Sequence, residues 1–208
     1  MPGHHRGQEN SAENAANRLA ARADLRREKI AARVALPTAT HVRLSAQLEA
    51  RLRPLLRSCH PEIIGYCWPI RGEFDCRPLV LELLQQGVRA CLPLVLAIGS
   101  AMEFREWKPG SPMREDRYGI HHPASGAILV PDLLLIPVNA FDSHGYRLGY
   151  GGGYFDRTLA ALDPRPLAVG VGFELARVAS TLPGAHDIAL DAVVTEAGTS
   201  LFSSRLGL

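Results

Sequence analysis

The chain has 208 residues, of which 47% are hydrophobic and 21% are charged, a composition that suits one globular domain with a sizeable core. It carries 23 basic and 21 acidic residues, a net charge of 23 − 21 = +2, which argues neither for a nucleic-acid-binding protein nor for a strongly acidic surface. The charge is uneven, because residues 1–60 hold 11 basic and 5 acidic residues whereas residues 61–208 hold 12 and 16.

The chain begins with a polar segment and two predicted helices. Residues 1–17 contain almost nothing apolar to bury, and we predict a disordered tail there, with one domain over residues 18–208. A basic amphipathic helix is predicted from Leu19 to Leu36, just before Pro37, and a second helix from His41 to Leu56.

Strands and helices alternate along the rest of the chain. The predicted strands are Ile63–Trp68, Val88–Leu92, residues 129–138, Leu167–Phe173 and Asp191–Thr195, and the predicted helices are Asp75–Gln86, Tyr154–Leu162 and Glu174–Leu182. The continuous apolar run between Pro131 and Pro137 is typical of a strand buried on both faces. This order predicts a Rossmann-like, three-layer α/β/α fold with a mostly parallel sheet, and a site beyond the carboxyl ends of the strands.

The four cysteines give no sign of a zinc site or of a disulfide framework. They lie 8, 9 and 15 residues apart, without a CxxC pair. The first residues lack the apolar stretch of a secretory signal, and no run reaches the roughly 18 apolar residues of a membrane span. We expect a cytoplasmic protein with reduced thiols and no membrane partner.

The segment between the buried strand and the helix at Tyr154 carries the clearest chemical signal. Four glycines, Gly149, Gly151, Gly152 and Gly153, stand within five residues, and such a loop lets backbone N–H groups converge on an anion. Arg147 before them suits phosphate, and the acids Asp142 and Asp156 are candidates for holding Mg²⁺. The loop matches neither GxGxxG nor GxxxxGK[ST], so an ordinary surface turn is the alternative. Its place between a strand and a helix favours a phosphate site.

The segment PDLLLIPVNAFDSHGYRLGYGGGYFDRTL resembles the signature of the 5-formyltetrahydrofolate cyclo-ligases, also called methenyltetrahydrofolate synthetases. Further likeness is found in LRREKIAAR, which resembles the basic first helix of that family, in GYCWPIRGEFDCRPL, in MEFREW and in HDIALDAVVTE. The resemblance extends over residues 22–198.

The resemblance implies an enzyme that uses ATP and Mg²⁺ to cyclise 5-formyltetrahydrofolate to 5,10-methenyltetrahydrofolate through an iminium phosphate, with release of ADP and phosphate. It places ATP on Arg22, Arg26, Arg147, Leu148, Gly149, Tyr150, Gly151, Gly152, Gly153, Tyr154 and Phe155. It places the folate on Glu73, Met102, Phe104 and Tyr154, Mg²⁺ on Asp156 and Asp191, and the catalytic roles on Arg147 and Tyr154. We expect small-molecule partners, with no nucleic acid, and a monomer or small homo-oligomer.

Several positions depart from the family pattern. His122 stands where many members have Glu, Phe155 replaces a Tyr, and Cys76 replaces a Thr. Gly152 stands where some relatives carry Lys, and Arg22 replaces the usual Lys, which keeps the charge but changes the geometry. Two other interpretations stay open: a nucleotide- or phosphate-binding regulatory protein with an altered or lost folate site, and, with less support, RNA binding through the basic first helix.

Some of the candidate residues also have a structural interpretation. Asp142 suits a cap of the FDSHG turn as well as a metal. His186 and Asp187 are expected to fix the loop before the last predicted strand.

Overall fold

The computed structural model describes residues 5–207, with side chains from Glu13 onward. The helices are α1 (His5–Val34), α2 (Thr38–Cys59), α3 (Arg77–Gln85) and α4 (Tyr154–Ala161), with 3-10 turns at Glu174–Ala176 and Ser204–Leu206. The strands are β1 (Ile63–Gly65), β2 (Arg89–Leu94), β3 (Glu103–Trp107), β4 (Met113–Glu115), β5 (His121–Pro123), β6 (Ile128–Leu129), β7 (Leu133–Pro137), β8 (Ala140–Phe141), β9 (Arg147–Leu148), β10 (Leu167–Val171), β11 (Ala192–Val194) and β12 (Thr199–Leu201).

Eight strands form one sheet in the order β12-β11-β10-β7-β1-β2-β3-β6. The five inner strands, from β11 to β2, are mutually parallel. The strands outside them are antiparallel to their neighbours. The predicted mostly parallel sheet is therefore confirmed, and β1, α3 and β2 form a βαβ unit. Two hairpins, β4–β5 and β8–β9, stand apart from this sheet.

The central strand β7 is buried on both faces, as its apolar run predicted. Leu133 and Leu135 point into the core cluster that contains α2 and α3, whereas Leu134 and Ile136 point into the cluster that contains α4. Each of these four side chains is at most 1% exposed. Helices thus cover both faces of the sheet, which confirms the three-layer arrangement.

The first helix starts earlier than its apolar pattern indicates. Helix α1 begins at His5 rather than at Leu19, so the helical backbone includes residues 5–17 of the expected tail; residues 1–4 lie outside the described residues. Disorder of the tail in solution stays a prediction. No helix among residues 5–207 is long and apolar enough to cross a membrane.

The predicted helix over Glu174–Leu182 is wrong. Only the 3-10 turn Glu174–Ala176 forms there, because the following backbone is engaged by the β8–β9 hairpin. The N–H of Val178 donates to Phe141 O (2.9 Å), and both the N–H and the hydroxyl of Thr181 donate to Asp142 Oδ2 (2.9 and 2.7 Å). Tertiary hydrogen bonds replace the helical ones.

The strands at the two ends of the sheet were not predicted as separate strands, although Leu129 of β6 falls in the strand predicted over residues 129–138. They are β3 and β6 at one end and β12 at the other. These are short strands with partly exposed side chains, so the apolar periodicity that marks a strand is weak in them.

Candidate functional site

The glycine loop lies at the carboxyl edge of the sheet. It follows β7 and the β8–β9 hairpin and leads directly into α4. Gly151 (φ +95°) and Gly153 (φ +64°, the N-cap of α4) adopt left-handed conformations that favour glycine. No atom lies within 4 Å of the position that a Cβ of Gly149 would take, so the loop has room on this side. A backbone of this kind, opening a helix, can bind an anion.

Arg147 is buried beside the glycine loop and pairs with the half-buried Asp156. The guanidinium, on a residue 6% exposed, donates to Asp156 Oδ1 (3.2 Å) and to Ile188 O (2.8 Å). The same Asp156 oxygen accepts the N–H of Ile188 (3.0 Å). Burial lowers the pKa of Arg147, and the nearby Asp156 opposes that shift. A cation removed from water interacts strongly with any anion that reaches it.

Two arginines of α1 reach the site but are engaged differently. The Nε–H of Arg26 donates to Gly149 O (2.6 Å), and its guanidinium lies 3.3 Å from the Cβ position of Gly151. Arg22 donates to both carboxylate oxygens of Asp187 (2.8 and 3.0 Å) and to Leu182 O (2.8 Å). Arg26 is therefore placed against the loop backbone, whereas a phosphate would have to compete with Asp187 for Arg22.

Asp187 also fixes its own loop, since the N–H of Gly184 donates to its Oδ2 (2.6 Å). This matches the structural interpretation of the His186–Asp187 pair.

Glu73 is buried next to the glycine loop. It is 7% exposed, and it accepts the hydroxyl of Tyr150 (2.7 Å) and the N–H of Ile70 (3.0 Å). The guanidinium of Arg33 lies 3.8 Å away. Burial raises the pKa of Glu73 above its ordinary value, although these hydrogen bonds and the arginine act in the opposite direction. The predicted folate and nucleotide residues thus meet at Glu73 and Tyr150.

The other predicted folate residues line the start of α4. Met102 and Phe104 are buried in the same core cluster as the α4 residue Leu159, and Tyr154 packs against that cluster. The hydroxyls of Tyr154 and Tyr118 are hydrogen-bonded (2.7 Å), and this bond raises the pKa of Tyr154. Tyr118, at the tip of the β4–β5 hairpin, thereby reaches across to α4.

Three further loop positions have distinct environments. Leu148 is fully buried, so only its backbone faces the loop. The ring of Phe155 lies 5.9 Å from the guanidinium carbon of Arg147. A Cβ at Gly152 would lie 2.5 Å from the ring of Tyr154, so the Lys found in some relatives would require that ring to move.

The structure does not bring Asp191 to this site, which corrects the expectation of a second metal carboxylate. Asp191 directly precedes β11, at the amino edge of the parallel strands, and it is fully buried. Its carboxylate accepts hydrogen bonds from Arg165 (3.2 Å), Arg205 (3.0 Å) and the N–H of Ala168 (2.8 Å). A sequence signal for this existed, since a residue at the start of a parallel strand lies opposite the ligand-binding edge.

Asp142 is likewise structural. It is 1% exposed and accepts the N–H groups of His144 (3.0 Å) and Tyr146 (3.2 Å), as the cap interpretation predicted, in addition to its bonds with Thr181. Each of its two carboxylate oxygens accepts two hydrogen bonds from groups of the protein.

Sequence reasoning missed three polar residues at the site, namely Arg33, Tyr118 and Asn139. Arg33 is 5% exposed and donates to Asn139 Oδ1 (2.9 Å) and to the hydroxyl of Tyr150 (3.0 Å). The side-chain N–H₂ of Asn139 is buried without a hydrogen-bond partner among the described residues. The one available signal was the position of Arg33, which is seven residues (about two helical turns) after Arg26 and so lies on nearly the same face of α1.

The 5-formyltetrahydrofolate cyclo-ligase family model matches residues 17–196. The chain belongs to the 5-formyltetrahydrofolate cyclo-ligase family. It is 34% identical to the 5-formyltetrahydrofolate cyclo-ligase of Escherichia coli K12 over 131 residues, which cover 60% of this chain and 72% of that one. It is 31% identical to the cyclo-ligase of Haemophilus influenzae over 139 residues, which cover 64% and 74% of the two chains.

Solved structures agree with this assignment. The NMR structure of Aquifex aeolicus 5,10-methenyltetrahydrofolate synthetase is 30% identical, with a TM-score of 0.74 and coverage of 87% of this chain and 92% of that one. The Mycoplasma pneumoniae 5,10-methenyltetrahydrofolate synthetase, 24% identical with a TM-score of 0.69 and coverage of 84% and 98%, shares the fold. The expected enzyme class, a cyclo-ligase, is confirmed.

The buried carboxyl of Glu73 gives this cyclo-ligase a testable pH dependence. Because the pKa of Glu73 is raised in the folded state, its contribution to stability is complete below the unfolded pKa of about 4.3 and is lost as pH rises through the folded value. Glu73→Gln stays neutral, so its melting temperature should rise relative to wild type by about 2–4 °C between pH 4 and 8. Thermal melts across this range measure the difference.

The matched control for this change is Glu103→Gln on β3, where the glutamate is exposed. A Glu73→Gln advantage that shrinks as pH rises would contradict the assignment of a raised pKa.

Proposed function

We propose that this protein catalyses the ATP- and Mg²⁺-dependent cyclisation of 5-formyltetrahydrofolate to 5,10-methenyltetrahydrofolate, with release of ADP and phosphate. The observation that carries the proposal is the open glycine loop with the buried Arg147 and its partner Asp156 on one side and the buried Glu73 on the other. The proposal assigns the nucleotide to the loop and the folate to the Glu73 side, so that the two substrates are adjacent.

The reaction needs positioning and charge stabilisation more than a side-chain nucleophile. The formyl oxygen attacks the γ-phosphorus of ATP and displaces ADP, which gives an iminium phosphate. The second folate nitrogen then attacks the formyl carbon and loses its proton, and the C–O bond to phosphate breaks. Such phosphoryl transfer depends mainly on in-line positioning and on cations that meet the developing charge.

Different residues of the chain bind the phosphates, stabilise the developing charge and hold the folate. The N–H groups of the loop and of the first turn of α4 bind the phosphates, and Arg26 lies against the same backbone. Arg147, held by Asp156 and Ile188 O, is itself buried, so water screens its positive charge only weakly. Glu73 offers a buried carboxylate for N–H donors of the pterin ring, and Met102, Phe104 and Tyr154 bound the ring.

The described residues fit Mg²⁺ with one carboxylate rather than two. They contain no group of three His, Cys, Asp or Glu side chains arranged for a metal ion, and Asp191 is bound to arginines. Mg²⁺ commonly binds through one or two carboxylates together with substrate phosphates, so Asp156 would hold it beside the loop. When bound, Mg²⁺ neutralises charge on the phosphates.

The direct test is a spectroscopic assay. Purified protein mixed with 5-formyltetrahydrofolate, ATP and Mg²⁺ is expected to generate the absorbance of methenyltetrahydrofolate, and omission of ATP should abolish the signal. Folded protein that gives no absorbance change would overturn the proposal. Calorimetry separates the regulatory alternative, which predicts ATP binding without folate binding.

A further inference from the structure

We infer that Tyr150 is a positioning residue that couples the two substrate sites, so that nucleotide on the glycine loop and folate at Glu73 strengthen each other's binding. The inference rests on the proposed function, since it assigns the two ligands to these sites. It gives the side chain of Tyr150 a role separate from that of the loop backbone, which contacts phosphates.

The contact that carries the inference is a direct bridge between the two sites. Tyr150 lies in the middle of the glycine loop, and its hydroxyl donates to Glu73 Oε1 (2.7 Å). The other Glu73 oxygen accepts the N–H of Ile70 (3.0 Å). Each oxygen of the carboxylate is thus oriented by one donor, and the donor on Oε1 moves with the loop.

Arg33 holds this hydroxyl in its donating orientation. Its guanidinium donates to the oxygen of Tyr150 (3.0 Å), so the phenol proton is directed to Glu73. Further bonds to Asn139 Oδ1 (2.9 Å) and Arg71 O (3.0 Å) fix the guanidinium itself. Arg33 is 5% exposed, and a charge-assisted network with so little water around it has one preferred arrangement.

The placement of Tyr150 does not follow from apolar packing. The residue is 40% exposed, and the guanidinium carbon of Arg71 lies 5.7 Å from its ring centroid. A tyrosine that served only the core would be more deeply buried. The hydrogen bonds of the hydroxyl, rather than burial of the ring, therefore determine where the side chain lies.

Through this arrangement, the binding of either ligand favours the binding of the other. Nucleotide that orders the glycine loop also orders Tyr150 on Glu73, and the folate then meets a carboxylate that is already oriented. Folate bound to Glu73 in turn holds the loop in place for the nucleotide. Thermodynamic linkage requires that the two effects be equal.

The test is a binding cycle on the full chain. Calorimetry measures the affinity for 5-formyltetrahydrofolate with and without a saturating non-hydrolysable ATP analogue and Mg²⁺. In wild type we expect the analogue to tighten folate binding at least about 5-fold, the lower end of the usual range for coupled sites. In Tyr150→Phe we expect the factor to fall toward 1; because the factor compares folate binding with and without the analogue in the same variant, it is independent of the affinity for either ligand alone. The KM for folate at saturating ATP should rise accordingly.

The matched control is Tyr146→Phe on the β8–β9 hairpin, where the hydroxyl has no hydrogen bond to any residue the structure describes; this variant should keep the wild-type factor. Circular dichroism and thermal melts confirm that both variants are folded. Wild type that binds both ligands without coupling, or Tyr150→Phe that retains the full factor, would overturn the inference. Wild type that binds neither ligand would instead overturn the proposed function.

Discussion

Replacing Asp156 with Asn is expected to lower the turnover of methenyltetrahydrofolate formation by at least about 100-fold, the usual cost of losing one electrostatic element at a reacting phosphoryl or acyl group. Asn keeps the shape and the Oδ1 acceptor, so the bonds from Arg147 and from the N–H of Ile188 can persist. What is lost is the negative charge that would hold Mg²⁺ against the phosphates.

Two measurements separate this explanation from a folding defect. The cyclisation rate is followed by absorbance over a range of Mg²⁺ concentrations, and ATP binding is measured with and without Mg²⁺. Mg²⁺ should tighten ATP binding in wild type and have little effect in Asp156→Asn. Asp24→Asn, on the exposed face of α1 with its side chain 67% exposed, is the control. Wild-type turnover in Asp156→Asn would refute the metal assignment.

The opposite pattern is expected for Asp191, which the family resemblance grouped with Asp156. Asp191→Ala removes a fully buried carboxylate that binds Arg165, Arg205 and the N–H of Ala168. Removing one partner of a buried pair costs about 3–5 kcal/mol, and the lower value applies here because both arginines stay about one-third exposed and can be hydrated. The melting temperature should fall by about 6–12 °C.

Urea unfolding and thermal melts measure this loss, and activity is compared at a temperature where the variant is folded. Turnover per folded molecule should then stay within about twofold of wild type. A variant of normal stability that cannot turn over would restore Asp191 to the site and remove the structural assignment.

Much of the fold could be predicted because the signals are local. The apolar run of β7 between two prolines, the helix that follows the glycine loop, and the alternation of strands and helices are all encoded by neighbouring residues. The predicted helix at Glu174–Leu182 failed because Asp142 and Phe141, more than thirty residues away, engage its backbone. The strands at the ends of the sheet were missed because their apolar patterns are weak. They form because they pair with neighbouring strands of the sheet, which a local pattern does not show.

The same division applies to the site. The sequence by itself determined the conformation of the glycine loop, with Arg147 and Asp156 beside it, because a glycine cluster between a strand and a helix dictates that conformation wherever the strand lies. Only the tertiary structure decided which charged and polar side chains pair with one another. It placed Asp191 at the opposite edge among arginines, and it brought Arg33, Tyr150 and Glu73 into one hydrogen-bonded network. These contacts join residues as much as 117 positions apart, and chain packing rather than local pattern determines which charges meet.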